Sequence, residues 1–89
     1  MHDKKYNLED RTIKFTKDCI NLCKLLVRDI INIELISQLI RASGSVGANY
    51  REANDSTTKK NFFHCIGICR REAKESKYWL ELLLHSNLN

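Results

Sequence analysis

Proline is absent from all 89 residues and glycine appears only three times. Average usage of about 5% proline would predict roughly four. A backbone with so little punctuation is free to run in long helices, because the residues that most often stop them are missing. No segment alternates apolar and polar residues with the period of two that a half-buried strand requires. The expected fold is therefore all-α, in a single domain over residues 1–89. Three long helices in so short a chain leave much apolar surface outside the core, which favours oligomers.

Apolar residues recur at steps of three and four along three stretches. The first helix is predicted over about residues 7–31, with Leu8, Phe15, Cys19, Leu22, Leu26 and Ile30 on one face and Ile20, Cys23 and Val27 beside it. Asn7 suits the N-cap, and Glu9 and Asp10 suit the first turn, where the helix dipole favours negative charge. Asn32, among the β-branched Ile30, Ile31 and Ile33, weakens helix propensity and marks a turn. A second helix is predicted over about 34–54, its stripe passing from Leu35, Ile36, Leu39 and Ile40 into Ser43, Val46 or Gly47, Tyr50 and Ala53. "NDSTTKKN" supplies turn and cap chemistry. The third helix is expected over about 57–84, with Phe62, Ile66, Cys69, Ala73, Leu80 and Leu83 on one face, widened by Ile68, Trp79 and Leu82.

The stretch "RASGSVGANYREAN" carries a Gly44-x-x-Gly47 step that invites two readings. A glycine loop can bring bare N–H groups to a phosphate. Here the Gly-Lys-Ser/Thr ending of a P-loop, the third glycine of a dinucleotide fingerprint and the sheet of a KH domain are all missing. The favoured reading is a continuous helix. Ser43, Gly44 and Gly47 then become places where a neighbouring helix comes close, and Asn49 and Glu52 polar pins of that contact.

Cys19/Cys23 and Cys65/Cys69 are two i,i+4 pairs. Four thiolates on antiparallel helices would suit zinc, but structural zinc sites favour Cys-x2-Cys knuckles, and these cysteines fall on or beside apolar faces as core thiols do. No metal and no cofactor is expected. Glu72 and Glu75 sit on the Ile68/Trp79 edge without the Glu-x-x-His pattern of di-iron bundles. They are expected to accept hydrogen bonds from Asn49, Arg41 or Arg51 on the neighbouring helix. No nucleophile–base arrangement is legible, so no catalytic residues are assigned and the chain is read as non-enzymatic.

The net charge is +4. Lys60, His64, Arg71 and Lys74, with Lys59 and Arg70 nearby, make one face of the third helix basic. Such a face tracks phosphates by releasing counterions. The competing reading is a solvated face whose charges pair with Glu75 and Glu81. No apolar run reaches the roughly 18 residues of a membrane span, and "MHDKKYNLED" is no signal peptide, so a cytoplasmic protein with reduced thiols is expected.

"QLIRASGSVGANYREAN" followed by "KKNFFHCIGICRREAKESKYWLELL" resembles the bacterial four-helix bundle proteins first noticed as genes in intervening sequences of 23S rRNA. The likeness spans about residues 8–84. It implies an antiparallel up-and-down bundle assembled into a homopentamer, with Asn49, Glu52, Glu72, Glu75, Tyr78 and Trp79 as structural or assembly residues. It also implies a relation to the accessory protein of diversity-generating retroelements, hence a reverse-transcriptase-type partner and RNA or DNA. For most members the biochemical role is unknown. The family pattern continues into a fourth helix that these residues do not contain. Three long helices are expected here, the fourth being either truncated or missing; if it is missing, an apolar groove is left open for another subunit to fill. The resulting expectation is an oligomeric nucleic-acid- or nucleoprotein-binding accessory factor, with a pure protein–protein scaffold as the alternative.

Overall fold

In a computed structural model describing residues 7–88, the chain forms α1 (Leu8–Lys24), α2 (Ile30–Asn54) and α3 (Lys59–Asn87). The stretch before Asn7, in which no signal peptide was read, lies outside the described residues. Each helix starts on a capping side chain. Asn7 accepts from the Asp10 N–H at 3.2 Å, Asp29 from Asn32 at 2.8 Å and Thr58 from Asn61 at 3.1 Å. Each bond satisfies one of the four N–H groups that a helix start leaves orphaned. No described residue has positive φ, so both turns are made without a left-handed residue.

The first break lies earlier than the residue pattern predicts. α1 stops at Lys24 rather than near residue 31, and α2 begins at Ile30 rather than 34. The physical reason is Asn32. Instead of forming the turn, it sits in the first turn of α2 at 1% exposure. Its Nδ2 donates to the Val27 carbonyl and to Asn87 Oδ1, both at 2.9 Å, while its Oδ1 accepts from Asn87 Nδ2 at 2.9 Å and Ser86 Oγ at 3.3 Å. A buried amide must be bonded, and this network draws the α1–α2 connection against the end of α3. It also accounts for α3 continuing to Asn87, beyond the expected 84: Asn87 and Ser86 are partners in the network.

α2 lies in the middle, antiparallel to both neighbours. Near one end of α1, Asn54 Nδ2 donates to Glu9 Oε2 at 3.2 Å. Thr16 Oγ1 donates to the Ser43 carbonyl at 2.8 Å, and Cys69 Sγ lies 3.3 Å from the Val46 carbonyl on the α3 side. Cys19, Leu39 and Leu83, one from each helix, form the core, with Phe15, Leu35, Ile36 and Trp79 among the residues packed on it. α2 packs on α1 and on α3, but α1 and α3 do not approach each other. The described Cα trace measures 46 × 29 × 16 Å, a slab rather than a closed bundle.

The slab shifts the buried faces. On α3 the buried residues are Cys65, Glu72, Ser76 and Leu83. Of the stripe expected inside, Leu83 is buried, while Phe62 and Ala73 face solvent. Leu80 and the exposed Ala73, with Leu8 and Phe15 of α1, line a groove of about 410 Å³ floored by Val46.

Candidate nucleic-acid interface and assembly residues

With its buried side turned to α2, α3 presents Lys59, Lys60, His64, Arg70, Arg71 and Lys74 outward, all exposed. Steps of 3.6 residues per turn divide them into two rows. Lys60, His64 and Arg71 follow one row; Lys59, Arg70 and Lys74 follow the next. Lys77, which the residue pattern did not single out, extends the second row and also borders the α1–α3 groove. Tyr78 and Phe63 are exposed among these cations, and Phe63 stacks edge-on with Phe62 at 5.5 Å. Among the described residues the ion pairs are Lys14–Asp18, Arg41–Glu72 and Arg41–Glu75, so no carboxylate lies within pairing distance of this face. Glu75, one of its expected partners, lies one turn beyond Arg71 but turns its carboxylate to Arg41 on α2.

That engagement is a second cluster, at the α2–α3 seam. Glu75 Oε2 accepts from Arg41 and, at 3.1 Å, from the Trp79 indole N–H. The Trp79 bond, helped by the positive charge and hydrogen bond of Arg41, holds the Glu75 carboxyl below its ordinary pKa despite partial desolvation. Glu72 is buried. Its Oε1 has no hydrogen bond but lies 3.6 Å from Arg41 Nη1, a charge contact too long to be a hydrogen bond. Tyr78 packs edge-on against Trp79, ring centroids 5.1 Å apart. Of the three donors expected for these carboxylates, Arg41 supplies the contact, while Asn49 and Arg51 do not.

Two other expectations need correction. Asn49 donates to the carbonyl and hydroxyl of Ser45, both at 2.9 Å, within its own helix, and Glu52 is exposed. Within one chain neither pins a neighbouring helix. The glycines also separate. A Cβ at Gly47 would meet Thr12 Oγ1 of α1 at 3.2 Å, whereas one at Gly44 would have nothing within 4 Å. Only Gly47 marks a close approach within the chain. Ser43, fully buried, is where the Thr16 hydroxyl crosses from α1.

The cysteines do not converge. Cys19 belongs to the cluster with Leu83, 18 residues or about 27 Å along α3 from Cys65. Burial raises the pKa of Cys19, Cys23 and Cys69, which disfavours the reactive thiolate. Among the described residues no group of three or more His, Cys, Asp or Glu side chains is placed to hold a metal ion. None of the helices is long and apolar enough to cross a membrane.

Residues 4–89 match the model of the family described as 23S rRNA-intervening sequence protein. The chain belongs to that family. The 23S rRNA-intervening sequence fold is also seen in a solved structure from Bacteroides thetaiotaomicron, a protein of unknown function assigned to an S23 ribosomal protein family. The two are 33% identical with a TM-score of 0.80, over 91% of this chain and 75% of that one. No curated protein matches the chain. The match to the 23S rRNA-intervening sequence family spans both the "SVGANYREA" and the "EAKESKYWL" blocks. Across the α2–α3 seam, Glu72 and Glu75 of the "EAKESKYWL" block reach Arg41, four residues before the "SVGANYREA" block, while Val46 within that block lies against Cys69.

Proposed function

We propose that this protein is a non-enzymatic accessory factor that binds RNA or DNA, or a nucleoprotein, through the outer face of α3, and that it works as a homo-oligomer. The observation carrying the reading is the unpaired basic face. Lys59, Lys60, Arg70, Arg71 and Lys74 are exposed, and among the described residues none has a carboxylate within 4 Å. A solvated face kept only for solubility gains from interspersed acids. A phosphate-binding face gains from cations left free to exchange counterions for phosphates. Exposed Tyr78 and Phe63 beside the cations add platforms for unstacked bases. The raised thiol pKa values, which disfavour a nucleophilic thiolate, and the engagement of Glu72 and Glu75 by Arg41 support a role without catalysis.

The open side of the slab supports assembly. Leu8, Phe15, Val46 and Leu80 line a groove that a further helix would cover, and a homopentamer is the assembly we favour. The same groove also favours a protein–protein scaffold with incidental charge.

Both readings meet in one experiment. Anisotropy with single-stranded RNA is followed from about 50 to 200 mM salt, and the mass of the assembly is measured with and without that RNA. Affinity should fall with salt at a slope of about 0.7 per neutralised phosphate, and Lys60→Glu with Arg71→Glu and Lys74→Glu should abolish most of it. Binding indifferent to salt and to the triple reversal would overturn the nucleic-acid reading. A persistent monomer would overturn the assembly.

A further inference from the structure

The outer seam of α1 and α2, on the side of α2 turned away from α3, has no role in the reading above. It holds two adjoining grooves. The larger, about 630 Å³, is floored by Ile20, Ile33, Ile36 and Ile40 and rimmed by Lys24 and Arg28. The smaller, about 400 Å³, is floored by Ile13, Gly44 and Ala48 and rimmed by Lys17 and Arg51. Ile40 and Gly44 are one turn apart on α2, as are Lys17 and Ile20 on α1, so the two grooves continue into each other. Ile33 to Arg51 is 18 residues, about 27 Å along the helix axis.

Three observations define what would fit there. The floor is apolar, and Gly44, with nothing within 4 Å of its Cβ position, leaves the middle open to close approach by a helix. The rim is basic throughout. No Asp or Glu lines either groove, and among the described residues no carboxylate lies within 4 Å of Lys17, Lys24, Arg28 or Arg51. A second copy docked across a twofold axis would set these cations against themselves. A head-to-tail neighbour in a ring that brought the basic α3 face, or the groove edged by Arg11 and Lys77, would also set cation against cation. A nucleic-acid strand would satisfy the cations but leave the isoleucine floor uncovered.

We propose that the α1–α2 seam is a docking groove for a partner's amphipathic helix of about five turns, with an apolar stripe on the isoleucine floor and acidic residues reaching Lys17, Lys24, Arg28 and Arg51. The groove recognises length and charge together. It is independent of the α3 face, so a protein partner and a nucleic acid can be held at once.

The test uses the full chain and fluorescein-labelled helical peptides of about 18 residues with leucines at i, i+4, i+7 and i+11, flanked either by Glu or by Lys. The Glu-flanked peptide should bind about tenfold more tightly than the Lys-flanked one, and Lys24→Glu with Arg28→Glu should reverse that order. Ala48 is exposed, so Ala48→Trp fills the groove without entering the core, and it should weaken the Glu-flanked peptide about tenfold. Circular dichroism checks that the variant is folded, and the charge-reversed pair serves in its place if it is not. Equal affinity for the two peptides, or binding untouched by both variants, overturns the proposal. So does competition by single-stranded oligouridine that Ala48→Trp removes, which would make the seam a nucleic-acid site. A change in the protein's own assembly mass on Ala48→Trp would make it a self-interface and overturn it as well.

Discussion

The two sides of α2 are both apolar in sequence and differ entirely in fate. Leu39, Ala42 and Ser43 face the middle of the slab at 0% exposure, while Ile33, on the outer side, is 54% exposed and Gly44 and Ala48 look onto an open groove. Helical periodicity alone does not distinguish them, since either row continues the stripe at steps of three and four. The difference lies in the small residues. Ser43 and Ala42 let α1 and α3 close on the inner side, and Ser43 gives its carbonyl to Thr16. The outer side has equally small residues in Gly44 and Ala48, yet a Cβ at Gly44 would meet nothing within 4 Å.

The largest test of that contrast is a pair of truncations. Leu39→Ala should cost about 2–5 kcal/mol in urea unfolding, because a cavity in the core relaxes only partly. Ile33→Ala should stay within about 0.5 kcal/mol. A comparable loss at both positions would mean that the outer face is covered in solution.

The glycines sharpen the comparison at smaller scale. Gly44→Ala should raise stability by about 0.4–1 kcal/mol, since the new methyl meets nothing and the unfolded chain loses freedom. Gly47→Ala makes the same entropic gain but pushes on Thr12 Oγ1, whose hydroxyl is bonded to the Glu9 carbonyl at 3.0 Å. Thermal melting should therefore rank Gly44→Ala above both the wild type and Gly47→Ala. The opposite order would show that α1 sits elsewhere along α2.

The smallest effect is expected at the α2–α3 seam. The Glu75 carboxyl titrates below its ordinary 4.5, so its contribution is present above that pH and fades as pH falls through the lower folded value. The stability difference between wild type and Glu75→Gln should be greatest near neutrality and vanish in acid. Because Arg41 is half exposed, added salt should shrink it further. A difference that grew on acidification would contradict the pairing with Trp79 and Arg41.

Much of the framework was legible from residues alone. Asn7 is read as a cap and is one; the Gly44–Gly47 stretch is read as helix and lies within α2. The first break was misplaced because Asn32 is a poor helix former in isolation, yet its amide is bonded to Asn87 and Val27, 55 and five residues away. No local signal encodes a partner at that distance. The clue that was available is Asp29 three residues before Asn32, a cap spacing. The basic residues of α3 were legible as a cluster. Their lack of carboxylate partners was not, since it follows from Glu75 turning toward Arg41.

Sequence by itself determined where helices can run. Missing proline, capping side chains and steps of three and four act within a few residues, and they specify an all-α chain whatever surrounds it. Only the tertiary structure decided which apolar face is core. Burial depends on how closely neighbouring helices approach, and that is set by Gly47 against Thr12, by the Asn32–Asn87 amides and by the Arg41 pairs across α2 and α3. The same contacts leave the outer seam of α1 and α2 uncovered. An apolar floor with a basic rim becomes visible only once the helices are side by side.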